Sequence, residues 1–299
     1  MTRPREGQTF GGSARFIRWI NFVKLPHTVF ALPFALVGAT LASFTRSVPL
    51  ATIGWIVLAF TAARFAAMGF NRIVDRTIDA RNPRTARREI PSGLLGVREA
   101  SLAVILASGV FIFASWMLNP LCAALSPIAL GWVLWYSYTK RFTHWSHVVL
   151  GIGLAIAPVG GYLAVMGAWS SPWWMLIALA VGVSSWTAGF DILYALQDEE
   201  FDRAEHLFSI PVVFGRRGAL TIARSLHVLT VMSLAAVGTA VPVGWLYAAG
   251  VCVAAGLLLY EHSLVRGDDL SKLDAAFFTM NGVISLTFFG FVLAERLVQ

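Results

Sequence analysis

Charged side chains are scarce in this 299-residue sequence, at 13%, about half the ~25% of an ordinary soluble protein. Hydrophobic residues make up 57%, more than a soluble domain of this size can hide from water. That composition excludes a cytosolic enzyme of the usual kind and a disordered chain. There are only two cysteines, Cys122 and Cys252, both inside apolar runs. They exclude a disulfide-stapled secreted domain and read as small hydrophobes. The six histidines show no spacing that suits zinc or haem. His144, His147 and His206 read as loop residues, and His227 and His262 as interfacial ones. The 26 glycines form neither a Walker A loop nor a dinucleotide fingerprint. Nothing reads as a cleavable signal peptide, because the first residues are polar and basic and the first apolar run is long enough to span.

What is present is a series of long apolar runs, each near the ~20 residues that cross a bilayer. They fall near 26–45, 50–71, 99–118, 121–139, 147–167, 173–197, 218–240, 244–262 and 275–295. The expectation is an all-α polytopic membrane protein: one nine-helix bundle over 26–299, with cap loops at the cytoplasmic side. Residues 1–25 precede it as a basic amphipathic segment, and Ser13 to Lys24 reads as a short helix lying on the bilayer surface. Of the 23 Lys and Arg, all but Arg46, Arg64 and Arg296 fall on alternate loops. By the positive-inside rule this places the N-terminus in the cytoplasm. The net charge of +7 is then topogenic, and nucleic acid is not an expected partner. No obligate protein partner is evident either.

The chemistry concentrates at the ends of the second and sixth runs. Asn71, Asp75 and Asp79 are spaced i, i+4, i+8, one stripe of a continuous helix. Asp198 and Asp202 repeat the i, i+4 spacing, and Asp191 and Tyr194 lie deeper on roughly the same stripe. No lysine adjoins these carboxylates in sequence to neutralise every charge. Carboxylate and amide oxygens suit Mg²⁺, which commonly bridges one or two carboxylates to a phosphate. Basic residues follow: Arg84 and Arg88 after the first cluster, and Lys140 and Arg141 after Tyr138 in the fourth run. Guanidinium groups match phosphate oxygens in bidentate geometry. Arg64 lies one heptad before Asn71, positioned to balance the aspartates or to meet a substrate carboxylate or phosphate. Taken singly, Asp79, Glu89, Glu199, Glu200 and Glu205 read as acids paired with nearby arginines. A cation-coupled secondary transporter is the competing class, but transporters place such acids near the bilayer midplane. A membrane scaffold would leave the repeated clusters unexplained.

On these residues the sequence resembles the UbiA superfamily of intramembrane aromatic prenyltransferases. Asn71, Asp75 and Asp79 match its N-x-x-x-D-x-x-x-D pattern. Asp198 and Asp202 match its D-x-x-x-D pattern, with Asp191 seven residues upstream. The runs Arg84-Thr85…Arg88…Pro91-Ser92-Gly93, Tyr136…Lys140-Arg141 and Ser209-Ile210-Pro211…Phe214-Gly215 are also similar to the family. Arg72 stands where many ubiquinone-pathway members carry a second aspartate. The wording is similar to the 4-hydroxybenzoate polyprenyltransferases and to the branch that prenylates a dihydroxynaphthoate acceptor for menaquinone. The resemblance implies transfer of a polyprenyl group from its diphosphate to an aromatic acid, with Mg²⁺ as cofactor. It implies metal ligation by Asn71, Asp75, Asp79, Asp198 and Asp202, and diphosphate contacts from Arg84, Arg88, Lys140, Arg141 and Tyr138. Asp191, Tyr194 and Arg64 would serve the reacting groups. It also implies a prokaryotic inner-membrane protein with its active site facing the cytoplasm.

Overall fold

The computed structural model describes residues 14–265, 273 and 279–299, with residues 25–30 described by backbone alone. Among them there are only helices: α1 (Arg15–Phe22), α2 (Leu25–Ser43), α3 (Leu50–Val74), α4 (Arg76–Arg81), α5 (Val97–Leu118) and α6 (Pro120–Thr139), then α7 (Ser146–Met166), α8 (Trp174–Ala195), α9 (Glu199–Ala204), α10 (Ile210–Gly238), α11 (Trp245–Leu264) and α12 (Asn281–Val298). Among the described residues, eight apolar helices are long enough to cross a membrane: α3, α5, α6, α7, α8 continued through α9, α10, α11 and α12. The first expected span falls on α2, whose apolar stretch Ala31–Ser43 is shorter. Residues 1–13 with Arg3 and Arg5, the loop cations Arg266 and Lys272, and the start of the last expected span lie outside the described residues.

Local chemistry sets the ends. Asn119 caps α6 by accepting from the Cys122 amide at 2.9 Å, and Pro120 follows at the first helical position. Gly167 ends α7 at φ 67°, a conformation glycine adopts without strain. The seventh span begins at Ile210 rather than 218, because Pro211 opens a first turn that breaks at Gly215 (φ 66°, ψ 173°) and then continues. The expected surface helix is α1. It docks through the buried pair Phe22 and Val23 against Leu95 and Ala100, and through an Arg15–Glu99 ion pair.

The core is aromatic and tightly crossed. Trp186 of α8 is 1% exposed and packs between a tilted Phe34 ring at 4.8 Å and an edge-on Phe190 ring at 4.9 Å. α2 and α7 touch backbone to backbone: a Cβ at Gly38 would lie 1.9 Å from the Pro158 carbonyl oxygen, and one at Gly161 would lie 2.0 Å from that of Ala35. Small residues allow this approach.

One end of the bundle gathers the C-termini of α3, α6 and α8. The other is tied by polar contacts at the helix ends: Asn119 to the Leu163 carbonyl, Arg46 to the Met166 carbonyl and Arg296 to the Ser43 carbonyl. A cavity of about 620 Å³ runs between the ends.

Candidate active site

Both acidic motifs reach the same end of the bundle, but neither lies on one continuous helix. α3 stops at Val74, and Asp75 (φ −88°, ψ 3°) turns the chain into α4. The i→i−4 bonds survive the turn, from the Asp75 amide to Asn71 and from the Asp79 amide to Asp75. The expected straight stripe is therefore bent at its middle residue. The second motif bends likewise, with Asp198 in a 3-10 turn (Leu196–Asp198) and Asp202 in α9. In both places the apolar run has ended, so nothing holds the helix straight against the core. Pro83 ends α4, forcing Asn82 into extended backbone.

The 82–96 loop folds back over the second motif. Arg84 clamps Asp198 with two bonds, Nε to Oδ1 at 2.9 Å and an Nη to Oδ2 at 2.6 Å. Its guanidinium also meets the Tyr194 hydroxyl at 3.2 Å and covers the Tyr194 ring at 5.4 Å. Asn82 adds a bond to Asp198 at 3.3 Å. Arg88 pairs with Asp79 at 2.7 Å, Arg141 with Asp75 at 2.8 Å and Lys140 with Asp202 at 2.8 Å. The lysine missing from the sequence neighbourhood of the carboxylates thus arrives from the end of α6. Asn71 donates to Asp75 at 2.9 Å. Arg72, in the place of the second aspartate, turns away from the motif. It is 3% exposed and lies 3.8 Å from Glu89, fastening the loop instead. Glu205 pairs with Arg81, and Glu199 with Arg203 and Arg216.

The oxygen-rich donor set fits a divalent cation shared with a phosphate. Asp79 Oδ2 is buried without a hydrogen-bond partner among the described residues. Burial pushes the Asp75 carboxyl up to about 6, against the opposing pull of Arg141, so an added positive charge would relieve it. Among the described residues no three His, Cys, Asp or Glu form a ready metal cage. A cation that takes one or two carboxylates and completes its shell with phosphate and water needs none.

Beneath this cap lies the cavity, entered past Asn71, Arg88 and Tyr194 and lined deeper by Asp191, Arg64 and Tyr136. Farther along, its wall is almost wholly apolar, reaching Ile56, Leu118 and Cys122. Ile56 to Asn71 along α3 spans about 22 Å at 1.5 Å per residue. Arg64 Nε is buried with no hydrogen-bond partner among the described residues. Tyr138 is not brought into the cavity. It is 43% exposed, its ring under Arg141 at 5.4 Å and against Phe70 at 6.0 Å. Two positions apart on a helix face nearly opposite ways, so it is Tyr136 that looks inward. Sequence reasoning passed over Tyr136 as a site residue.

It also misplaced His147 and His227. His147 is no loop residue: it sits in the first turn of α7, 3% exposed, with Nδ1 2.7 Å from Asp191 Oδ2. His227 is buried inside the bundle rather than interfacial, and it meets His262 of the last turn of α11. His227 Nδ1 lies 2.9 Å from His262 Nε2 between α10 and α11, and His227 is 3% exposed.

Comparison with known proteins gives a consistent picture. The sequence model of the UbiA prenyltransferase family matches residues 31–283. The 4-hydroxybenzoate octaprenyltransferase of Sodalis glossinidius is 30% identical over 82% of this chain and 83% of its own length. That of Edwardsiella ictaluri is 31% identical over 81% and 84%. Among solved structures, the apo structure of a UbiA homolog from Aeropyrum pernix K1 superposes with TM-score 0.82 at 30% identity, covering 90% of this chain and 98% of that one. A UbiA homolog from Archaeoglobus fulgidus bound to GPP and Mg²⁺ shares the fold, with TM-score 0.70 at 20% identity over 93% and 99%.

Proposed function

The chain belongs to the UbiA prenyltransferase family, and from that premise we propose that this membrane-embedded prenyltransferase moves a polyprenyl group from its diphosphate to 4-hydroxybenzoate in quinone biosynthesis. The observation that carries the reading is the junction of a basic and acidic cap with a long apolar cavity. Such a junction matches an amphiphile with a diphosphate head and a hydrocarbon tail. The names of the 4-hydroxybenzoate octaprenyltransferase relatives support the acceptor, and the Mg²⁺ in a fold relative supports the cofactor.

In this reading the catalytic bundle runs from 26 to 299, preceded by the basic amphipathic segment 1–25, whose helix α1 rests on the bilayer surface. Asn71, Asp75 and Asp79 would hold one magnesium, and Asp198 and Asp202 another. Magnesium supplies positive charge to the leaving diphosphate. Arg84, Arg88, Lys140 and Arg141 exchange carboxylate for diphosphate oxygens and close the cap over it. Charge that grows on the leaving group meets donors already in place. The cavity keeps water from the allylic cation, and Tyr194 offers it a ring face at the entrance. Tyr138, outside the cavity, contributes by stacking on Arg141. Arg64 receives the acceptor's carboxylate, and Asp191 accepts the proton of its hydroxyl, raising ring nucleophilicity. The basic end of the bundle faces the cytoplasm of a prokaryotic inner membrane, as the distribution of Lys and Arg supports.

The test is a membrane assay with a polyprenyl diphosphate and Mg²⁺, offering 4-hydroxybenzoate and a dihydroxynaphthoate acid separately, with products identified by mass spectrometry. A Mg²⁺-dependent product with 4-hydroxybenzoate, absent in Asp75→Asn, is expected. Product only with the naphthoate moves the enzyme to the menaquinone branch. If a prenyl diphosphate analogue with Mg²⁺ fails to raise the melting temperature of the solubilised protein, the diphosphate reading fails and a cation-coupled transporter becomes the better account.

A further inference from the structure

We infer that His147 is a positioning residue that holds Asp191 toward the reacting ring without relaying its proton. Asp191 lines the cavity, whereas His147 lies behind it and is 3% exposed. The Nδ1 to Oδ2 distance is 2.7 Å. At the other side of the imidazole, Nε2 faces the backbone N–H of Ile210 at 3.5 Å. That amide can only donate, so Nε2 is the acceptor nitrogen and the ring hydrogen sits on Nδ1. The histidine therefore donates to Asp191. Its far nitrogen is closed by the amide, which leaves no onward acceptor for a proton.

Three helices meet at this ring: α7 carries it, α8 carries its carboxylate partner and α10 begins with its amide partner. The bond occupies Oδ2 and fixes the carboxylate plane. Asp191 Oδ1 makes no hydrogen bond among the described residues and is left to receive the acceptor's hydroxyl proton. Partners of this kind fix the orientation of a functional side chain from behind. The inference rests on the proposed role of Asp191, and the test separates the two.

Turnover is measured for His147→Ala, His147→Asn, Asp191→Asn and the double variant His147→Ala/Asp191→Asn, with polyprenyl diphosphate, Mg²⁺ and 4-hydroxybenzoate. His147→Ala should lower kcat about 10- to 100-fold, the weight of one hydrogen bond to a charged group, with KM for the prenyl diphosphate unchanged. His147→Asn, whose amide nitrogen takes the place of Nδ1, should recover most of the loss. In the Asp191→Asn background His147→Ala should cost nothing further. The inference is overturned if His147→Asn is as impaired as His147→Ala, or if the losses of the two residues multiply. It is also overturned, with the Asp191 reading intact, if Asp191→Asn is inactive while His147→Ala turns over normally. Full turnover by Asp191→Asn removes the Asp191 role and this inference with it.

Discussion

Arg64 makes no ion pair among the described residues, yet it stands in the wall of an apolar cavity inside a membrane span. An unbalanced charge there is expensive and is kept for a purpose. Replacing it with Met should therefore separate stability from function. Arg64→Met should melt at the same or a higher temperature in detergent, since a desolvated cation has been removed. Its KM for the aromatic acid should rise about 10- to 100-fold, while the affinity for prenyl diphosphate holds. A fall in diphosphate affinity instead would assign Arg64 to the other substrate. At this scale the sequence was readable where residues work with near neighbours, as Asn71 does with Asp75. It was silent about His147, whose partner Asp191 lies 44 residues on, and it marked Lys140 as a phosphate contact without showing that Lys140 reaches Asp202 from the end of α6. Tyr136 and Tyr138 look alike in sequence, and only the helix phase against the cavity separates them.

Between neighbouring helices, spacing alone cannot tell a straight segment from a bent one. The i, i+4 pattern passes through Asp75 unbroken because the backbone bonds on both sides keep the same register. Apolar length, by contrast, marks helices well, because a bilayer leaves the backbone few other ways to satisfy its hydrogen bonds. The close crossing of α2 and α7 gives a sharp comparison between two adjacent glycines. Gly161→Ala drives a methyl group into the Ala35 carbonyl, whereas Gly160→Ala meets nothing within 4 Å. Overpacking of this kind should destabilise by about 1–3 kcal/mol, seen as a lower melting temperature in detergent. Gly160→Ala should match or exceed the parent, because alanine favours the helix. Equal melting of the two variants would mean that α2 moves aside.

The whole bundle has two unlike ends, one of charge pairs and one of short polar ties, with the cavity joining them. The basic stretches after the second and fourth apolar runs marked the end at which the charge pairs gather. The cavity itself left no mark in the sequence, since the residues that line it are as apolar as those that face lipid. Its deep end holds the free thiol of Cys122, and this makes the protein its own dipstick. With the exposed Cys252 replaced by Ser, a maleimide should label Cys122 at a rate that reports how far a bound tail descends. A polyprenyl diphosphate long enough to reach the bottom should slow labelling, and dimethylallyl diphosphate should leave it unchanged. Equal protection by both would mean that the tail leaves the bundle sideways, well above the thiol.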